Sequence, residues 1–467
     1  MKKHRNFPQV LTSATSLYRF APNEVVHPTT EAEIIEVLHQ ARQKGLKVRA
    51  IGAIHSQAPI PVTDGICLVL DRYNRLVTLE DSRVTVQAGM KLWELNELLA
   101  QQGLALPTLG AIAEQTVSGA IATGTHGSSV YCPSLSSYVT HVRLIRADGS
   151  ILEIASSEEI FAAVGVSLGM LGIVSTLTFE CVPAFSLQSQ LQILPMKTLI
   201  QRFAEINCDH KYVDIKYSPI LDQAQILLVD PTQEFISENS GLNFHRKGKI
   251  QRRISNWITA GFLRLFETHR FNWLQKRIVE HYEKTAYATP AGRSDFVLTH
   301  FETANEDLEE LIPVSDMEIG VPYDQASNAL TCLRNYFIQT QKFPSMSVHI
   351  RCSAADNFWL SPAYQRAVCW IEFFEYPRTG QFFQEMVQLL QPFSCRYHWG
   401  KEFSVNPTYL QQQYEKWHDF LRLRQEWDPD ELFANSYLKK YFYPHRVATS
   451  LSVWQEMGSK KNNQTHF

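Results

Sequence analysis

The order of hydrophobic and polar positions predicts alternating short strands and helices over the first 183 residues. Thr30 precedes an amphipathic stretch, 31–44, that stops at Gly45, which is the usual start and stop of a helix. The same reading predicts strands at 48–51, 66–70, 84–87 and 173–182, helices at 91–102 and from Ser157, and a hairpin at 139–146 and 151–154. Several sheets without a regular βαβ series indicate an α+β organisation.

From about residue 184 the pattern changes. Segments 345–355 and 367–376 alternate enough to be strands of a second sheet. Segment 247–284 is basic and rich in aromatic residues, so it fits a helix on an anionic membrane surface or on a partner. The alternative is a helical excursion that packs on its own domain. The tail, 458–467, is predicted to be disordered.

Composition limits the class of protein. The 467 residues are too many for one ordinary core, and a net charge of −3 gives no basic field for nucleic acid. No apolar run is long enough for a secretory signal or a membrane span. The eight cysteines are scattered without a CxxC pair, which favours a reduced, cytoplasmic setting and gives no sign of a metal site.

Two segments rich in glycine and small residues are candidates for an anion site. The first runs from Arg49 to Ser56 and follows a predicted strand, and the second runs from Thr116 to Ser129. Small residues let successive backbone N–H groups approach a phosphate. Neither segment is a P-loop or a Rossmann fingerprint. Each alone is as well explained by a turn or a tight packing contact.

Together, and in this order, the two segments resemble the PCMH-type FAD-binding domain of the vanillyl-alcohol oxidase superfamily. That family has a G-x-G-H-S turn followed by T-V-x-G-x-x-x-T-G-T-H-G, and its sugar-lactone and alditol oxidase branch matches best. The resemblance continues through Ser167–Val174, Met317-Glu318, Arg351, Leu360–Arg366, His398-Trp-Gly-Lys401 and Phe433–Leu438.

The resemblance implies a two-domain α+β flavoenzyme. Residues 1–183 would form the FAD-binding domain, and 184–394 a substrate (cap) domain built on an antiparallel sheet with helices. Residues 395–457 would complete the active site and the FAD domain, followed by the 458–467 tail. The site is expected at the domain interface.

The resemblance also implies which residues hold the cofactor. His55 falls on the histidine that this branch joins to the flavin 8α-methyl carbon; the alternative is a buried structural histidine beside non-covalent FAD. The other expected FAD contacts are Ala50, Ile51, Gly52, Ala53, Ile54, Ser56, Gly110, Thr116, Ser118, Gly119, Ala120, Thr123, Gly124, Thr125, His126 and Ile173. Ile54 departs from the family, which usually has glycine there, and a β-branched residue would be strained if that position needs a positive φ.

Gly110 is a candidate marker for the use of O2. In relatives the aligned residue controls access of O2 to the flavin, and glycine resembles the oxidases whereas alanine resembles the dehydrogenases. The alternative is a glycine that serves a turn after Pro107.

Two positively charged side chains are expected next to the flavin and the substrate oxygen. The branch uses the arginine of an E-x-R strand and the lysine of H-W-[GA]-K, which fall here on Arg351 and Lys401. Positive charge is useful where hydride transfer leaves negative charge. Without the family, Arg351 would be assigned to a solvated or paired surface, because it shares a strand face with His349.

An acid and an imidazole are exchanged relative to the family. The glutamate of E-x-R is His349 here, and Glu372 stands where alditol oxidases have histidine. We expect the two to face one another, with His349 as the base or hydroxyl-orienting group and Glu372 as its partner. The alternative is a slipped alignment that leaves Glu372 as an exposed strand residue. Phe374 replaces a substrate-binding threonine, which favours a cyclic lactone over a simple polyol.

The expected function is FAD-dependent oxidation of an alcohol carbon of a sugar-acid lactone or related polyol, with electrons passed to O2 to give H2O2. One alternative is a dehydrogenase that uses a cytochrome or quinone and docks on a membrane through 247–284. Another is a flavin-binding protein without activity, which the departures at Ile54 and His349 would fit.

Overall fold

A computed structural model describes residues 9–233, 291–299, 314–376 and 379–443. The basic 247–284 segment and the 458–467 tail lie outside the described residues, so their predicted roles stay predictions. Within the described ranges, no helix is both long enough and apolar enough to cross a membrane. All eight cysteines fall in these ranges and all are free thiols.

The N-terminal part contains several small sheets with helices on them. Its helices are α1 Glu31–Lys44, α2 Leu92–Gln101, α3 Val117–Ala122 and α4 Phe161–Val164. Its strands are β1 Leu11–Thr12, β2 Arg19–Phe20, β3 Glu24–Val26, β4 Val48–Ile51, β5 Ile66–Val69, β6 Leu76–Glu80, β7 Arg83–Gln87, β8 Leu104–Ala105, β9 Val139–Ile145, β10 Ile151–Ala155, β11 Ile173–Glu180 and β12 Val182–Pro183.

Helix α1 begins and ends where its sequence predicts. The Thr30 hydroxyl accepts the Glu33 N–H, and Gly45 ends the helix with φ of 65°. The predicted strand at 48–51 and the hairpin of β9 and β10 are also present. The helix predicted from Ser157 is only the single turn α4, because residues 157–160 form turns before it.

Two sheets build this part. Strands β3, β5 and β4 pair in parallel, and the order β10-β9-β11-β7-β6 forms a five-stranded antiparallel sheet. Strand β4 lies at the edge of the parallel sheet, and the glycine-rich turn follows it directly.

The remaining described chain forms one large sheet with helices. The strands are β13 Ser186–Pro195, β14 Tyr212–Ser218, β15 Gln223–Thr232, β16 Gly292–Arg293, β17 Ser315–Pro322, β18 Val348–Ser353, β19 Val368–Glu375 and β20 Arg396–Tyr397. The helices are α5 Met196–Gln201, α6 Phe203–Asp209, α7 Ser294–Thr299, α8 Ala326–Thr340, α9 Gln381–Leu390, α10 Pro407–Gln412, α11 Trp417–Trp427 and α12 Ser436–Phe442.

The eight strands follow the order β16-β13-β15-β14-β18-β19-β17-β20, and neighbouring strands are antiparallel. Every residue of β18 and β19 is buried. These two central strands therefore lack the alternation of buried and exposed residues that a strand with one solvent-facing side shows. Three predicted site residues, His349, Arg351 and Glu372, lie on them.

The chain after α11 returns to the N-terminal part. The Val48 N–H donates to the Leu432 carbonyl at 2.9 Å, and buried Arg49 donates to the Phe433 carbonyl at 2.8 Å. Asn435 donates its amide to the carbonyls of Pro59, Ile60 and Val62 and accepts the Leu438 N–H at the start of α12. Distant segments are therefore joined through backbone carbonyls around β4. The exact domain limits, 183 and 394, stay a prediction.

We predict that Asn435→Asp lowers the free energy of unfolding by about 2–4 kcal/mol, because a carboxylate keeps the helix cap but faces three carbonyl oxygens without a donor. Exposed Asn406 caps α10 through Thr408 N–H and is the matched control, for which Asn406→Asp should cost less than about 0.5 kcal/mol. Urea denaturation of the three proteins measures the difference. Equal losses for the two variants would contradict this role of Asn435.

Candidate active site

The turn after β4 approaches the start of α3 closely. A Cβ atom at Gly52 would lie 1.9 Å from the Thr116 Oγ1, so no larger residue fits there without moving the turn. Thr116 itself is the N-cap of α3 and accepts the Gly119 N–H. The two glycine-rich segments singled out in the sequence are therefore in contact, and Gly52 is required by this contact.

Ile54 adopts the left-handed conformation, with φ of 55°. This conformation costs an L-residue with a Cβ roughly 1–2 kcal/mol, and a β-branched residue is a genuine exception there. The strain expected from the departure at this position is thus present. The turn keeps the conformation that glycine would allow, but with isoleucine in it.

Two cavities meet at His55. The first is lined by Arg49, Ala50, Ile51, Gly52, Ala53, Ile54, His55, Ser56, Ile60, Pro61, Leu70, Gln115, Thr116, Ser118, Gly119, Ala122, Thr123, Ser167, Leu168, Gly169, Gly172, Ile173, Val174 and Phe433. The second is lined by His55, Ser56, Gly110, Ala111, Ile112, Gln115, Thr123, Thr125, His126, Glu318, Arg351, His398, Gly400 and Lys401. Most of the residues predicted to hold the cofactor line one or both of them.

Two predicted cofactor residues line neither cavity. Ala120 is fully buried inside α3, where it packs in the main core. Gly124 follows α3 with φ of 74° and has Val166 side-chain atoms next to its Cβ position. Their roles are to let the second segment turn and pack, which small residues permit.

Glu372 joins the two cations of the second cavity. Arg351 on β18 places its Nη2 atom 2.8 Å from the Glu318 Oε1 and 2.9 Å from the Glu372 Oε2. The Lys401 Nζ lies 2.8 Å from the Glu372 Oε1 and also bonds Asp316. Arg351 and Lys401 therefore lie side by side, each held by two carboxylates.

The pKa values of Glu372 and Glu318 are lowered, which favours their ionised forms. Burial alone would raise the pKa of Glu372, but Lys401 and Arg351 outweigh it and hold that pKa well below its usual range. Burial opposes ionisation of Glu318 in the same way, and Arg351 and His126 hold its pKa well below normal. The two cations are thus compensated by buried negative charge and keep fixed positions.

His349 and Glu372 are direct cross-strand partners in the register of β18 and β19. The His349 Nδ1 lies 3.5 Å from the Glu372 Oε2, and the imidazole contacts the Phe374 ring at 5.0 Å between centroids. Glu372 is 1% exposed, so it is not the exposed strand residue of the slipped alignment. Neither His349 nor Glu372 lines the two cavities, but Glu372 contacts Arg351 and Lys401, which line the second one.

Two further side chains of the second cavity, Glu318 and His398, were not among the predicted site residues. The motifs Met317-Glu318 and His398-Trp-Gly-Lys401 already contained them, so the signal was present. His126 stacks on Trp370 with ring centroids 3.9 Å apart, and its Nε2 lies 3.4 Å from the Glu318 Oε1.

His126, Glu318 and His398 bring three possible ligand atoms within 4.8 Å of one another. The His126 Nδ1 donates to the Gly127 carbonyl, and its Nε2 lies 3.4 Å from the Glu318 Oε1. The His398 Nδ1 instead accepts the Gly400 N–H, and burial lowers the pKa of His398 to about 3. The neutral ring must then carry its proton on Nε2, the atom that faces the cluster. That tautomer disfavours a metal ion in this part of the described chain.

The two cavities fit a flavin dinucleotide. The first is a cleft between the two glycine-rich segments. Because Gly52 has no side chain, a diphosphate could approach the backbone there. The second is polar and contains the Thr125 hydroxyl, which is buried without a hydrogen-bond partner in the described structure. A ring system with polar edges would satisfy that hydroxyl. His55 lies where the two parts of such a cofactor would join.

Comparison with known proteins agrees with this geometry. The family profile described as D-arabinono-1,4-lactone oxidase matches residues 177–441, and the profile described as FAD binding domain matches 22–155. The L-gulonolactone oxidase of Scyliorhinus torazame is 30% identical over 444 residues, which cover 91% of this chain and 96% of that protein.

Another relative is the L-gulono-1,4-lactone dehydrogenase of Mycobacterium tuberculosis (strain ATCC 25618 / H37Rv), 28% identical over 431 residues that cover 91% of this chain and 97% of that protein. Cholesterol oxidase from B. sterolicum superimposes with a TM-score of 0.76 at 15% identity, covering 93% of this chain and 97% of that chain, which shows a shared fold. The resemblance and the fold class predicted from the sequence are confirmed, as is FAD as the cofactor.

We predict that His398→Asn makes the protein less sensitive to mild acid. Because the folded-state pKa of His398 is about 3 and an unfolded histidine titrates near 6.5, the unfolded chain takes up the proton first as the pH falls below about 6.5. This residue should therefore cost about 2 kcal/mol of stability between pH 7 and pH 5, and the variant should not show that loss. Urea denaturation at the two pH values measures it, and an unchanged pH dependence would refute the assignment.

Proposed function

The chain belongs to the D-arabinono-1,4-lactone oxidase family of FAD-linked oxidoreductases, and we propose from this that it oxidises a hydroxyl-bearing carbon of a sugar-acid 1,4-lactone or a related polyol. The observation that carries the proposal is the second cavity, where Arg351 and Lys401 lie beside His55 in one polar pocket. FAD, when bound, supplies the acceptor for the hydride.

Arg351 and Lys401 would bind the oxygen of the reacting carbon. Loss of hydride and proton from an alcohol passes through a state with negative charge on that oxygen, which two fixed cations stabilise. Glu318, Glu372 and Asp316 hold these cations in place before substrate arrives, so little reorganisation is needed. Such a pocket suits a neutral, hydroxyl-rich substrate.

His349 is proposed as the base or hydroxyl-orienting group, with Glu372 as its partner. Histidine titrates near neutral pH, which suits proton abstraction from a hydroxyl. The 3.5 Å separation of His349 Nδ1 and Glu372 Oε2 lets the carboxylate orient the imidazole and stabilise a proton on it. His349 does not line the second cavity, and Glu372 is its link to Arg351 and Lys401, which do.

His55 is proposed as the covalent attachment point of FAD. Burial, with the nearby Lys91 and Lys401, lowers the pKa of His55 to about 4, so its ring is neutral at physiological pH and has a free nitrogen lone pair. His55 would hold the cofactor by a C–N bond to the flavin 8α-methyl carbon, in place of a C–H bond of that methyl group and the imidazole N–H. The two hydrogens and two electrons would leave to O2 as H2O2.

O2 is proposed as the electron acceptor of the reaction. A Cβ atom at Gly110 would lie 2.6 Å from the Thr125 Cγ2, so glycine is needed for the packing of Thr125 in the second cavity. That packing explains the glycine without reference to O2, whereas the family resemblance favours an oxidase. A dehydrogenase is the second candidate, because the relative from Mycobacterium tuberculosis is named as one. Cytoplasmic location and membrane contact through 247–284 remain proposals.

We predict that an aldono-1,4-lactone bleaches the flavin absorbance of the purified protein under anaerobic conditions, and that O2 then restores it faster than an artificial dye does. A panel of aldonolactones and polyols, followed by stopped-flow absorbance, measures both steps. Faster reoxidation by the dye would support the dehydrogenase. Flavin that no member of the panel bleaches would refute the proposed activity.

In the same assay His349→Ala should slow flavin reduction about 100-fold or more, since a positioned base contributes that much. The matched control is His210→Ala, which removes a partly exposed histidine paired with Asp230 and should leave the rate unchanged. Near-normal reduction by His349→Ala would exclude His349 as the base.

We predict that His55→Ala abolishes covalent flavin. After denaturing electrophoresis the wild-type band should fluoresce under ultraviolet light and the His55→Ala band should not. His141→Ala, at an exposed strand position, is the control and should keep the fluorescence. A fluorescent His55→Ala band, or a wild-type band without fluorescence, would refute the tether.

A further inference from the structure

The N-terminal hairpin of β1 and β2 lies against the turn that carries His55. The Ala14 N–H donates to the Ile54 carbonyl at 3.0 Å, and the Tyr18 hydroxyl donates to the Ser56 carbonyl at 2.9 Å. These two bonds hold the carbonyl groups on either side of His55. The hairpin pairs only within itself among the described strands, so its contacts with the turn are not those of a larger sheet.

The hairpin also holds the side chain of the strained residue. Ile54 packs in a small apolar cluster with Phe20, Ile51 and Cys67, and Leu11 and Tyr18 border the same cluster. The residue whose φ of 55° is unfavourable is thus fixed through both its side chain and its carbonyl. Strained conformations persist only where the surroundings determine them in this way.

The chain after His55 is bonded to the segment that carries Lys401. The Gln57 N–H donates to the Gly400 carbonyl at 2.7 Å, next to Lys401. The Gln57 Oε1 accepts the Asp316 N–H at 2.7 Å. Both bonds are made by Gln57, so they fix the path of the chain after His55. The φ of Ile54, which precedes His55, is instead restrained by the hairpin.

We propose that the hairpin is a clamp that holds the Ile54 turn in its left-handed conformation and thereby points His55 at the junction of the two cavities. Tyr18 is the positioning residue of this clamp. Where relatives have glycine before the histidine, the turn needs no such support, whereas isoleucine would otherwise relax to a negative φ and redirect the next residue. The clamp concerns the same turn as the proposed covalent attachment. It rests on that proposed function only for the rate of FAD attachment, and amide hydrogen exchange of the turn is independent of it.

A double-mutant cycle of Tyr18→Phe and Ile54→Gly tests the clamp, because glycine removes the strain that the clamp opposes. Two quantities are measured on the full-length protein for each member of the cycle. The first is amide hydrogen exchange of residues 54–58 in protein prepared without flavin. The second is the rate at which added FAD becomes covalently bound, followed by fluorescence after denaturing electrophoresis.

Tyr18→Phe alone should speed the exchange of residues 54–58 about fivefold and slow FAD attachment by a similar factor, as expected for the loss of one hydrogen bond. In the Ile54→Gly background the same substitution should change either rate by less than about twofold. If Tyr18→Phe has equal effects in both backgrounds, or none in either, the hairpin is a purely structural element and the proposal is wrong.

Tyr131→Phe is the matched control, since its hydroxyl also donates to a backbone carbonyl, that of Cys208, away from the turn. It should leave both rates unchanged in both backgrounds. If the wild-type protein holds FAD without a covalent bond, the proposed tether fails, yet the exchange measurement still decides whether the hairpin restrains the turn. The two proposals therefore fail separately.

Discussion

The active site depends on one buried carboxylate, Glu372. Its two oxygens hold Arg351 at 2.9 Å and Lys401 at 2.8 Å, and its strand pairing holds His349 beside it. Two buried cations this close would repel one another and resist desolvation without such a partner. Replacement of this acid would leave Arg351 with Glu318 and Lys401 with Asp316, and would remove the one carboxylate that the two cations share.

The exchange of acid and imidazole that the sequence predicts at His349 and Glu372 is compatible with the pairing of their strands. The two residues stand opposite each other in adjacent antiparallel strands, where side chains on one face are direct neighbours. Either strand can therefore carry either group while the pocket keeps one acid and one imidazole. In this chain the acid is on β19, where Glu372 contacts both Arg351 and Lys401.

Residues far apart in the chain meet at the turn after β4. The start of α3 touches Gly52, the N-terminal hairpin bonds to Ile54 and Ser56, and the segment near Gly400 bonds to Gln57. This turn borders both the first cavity and the second cavity, which contains Arg351 and Lys401. The turn that carries His55 is bonded to the residue before Lys401, so the proposed attachment point and this cation are held by adjoining segments.

The sequence by itself determined the local elements and the cofactor class. Helix α1 and strand β4 follow from short-range patterning and capping. The two glycine-rich segments indicate FAD through their resemblance to a known family, whereas small residues alone would indicate only a close approach to the backbone. Sequence also named Arg351 and Lys401 but not Glu318 or His398 as part of their surroundings. Only the tertiary structure decided that buried Glu372 contacts both cations, that His349 lines neither cavity, and that Ile54 has a positive φ. These properties depend on contacts between distant segments, which no local pattern records.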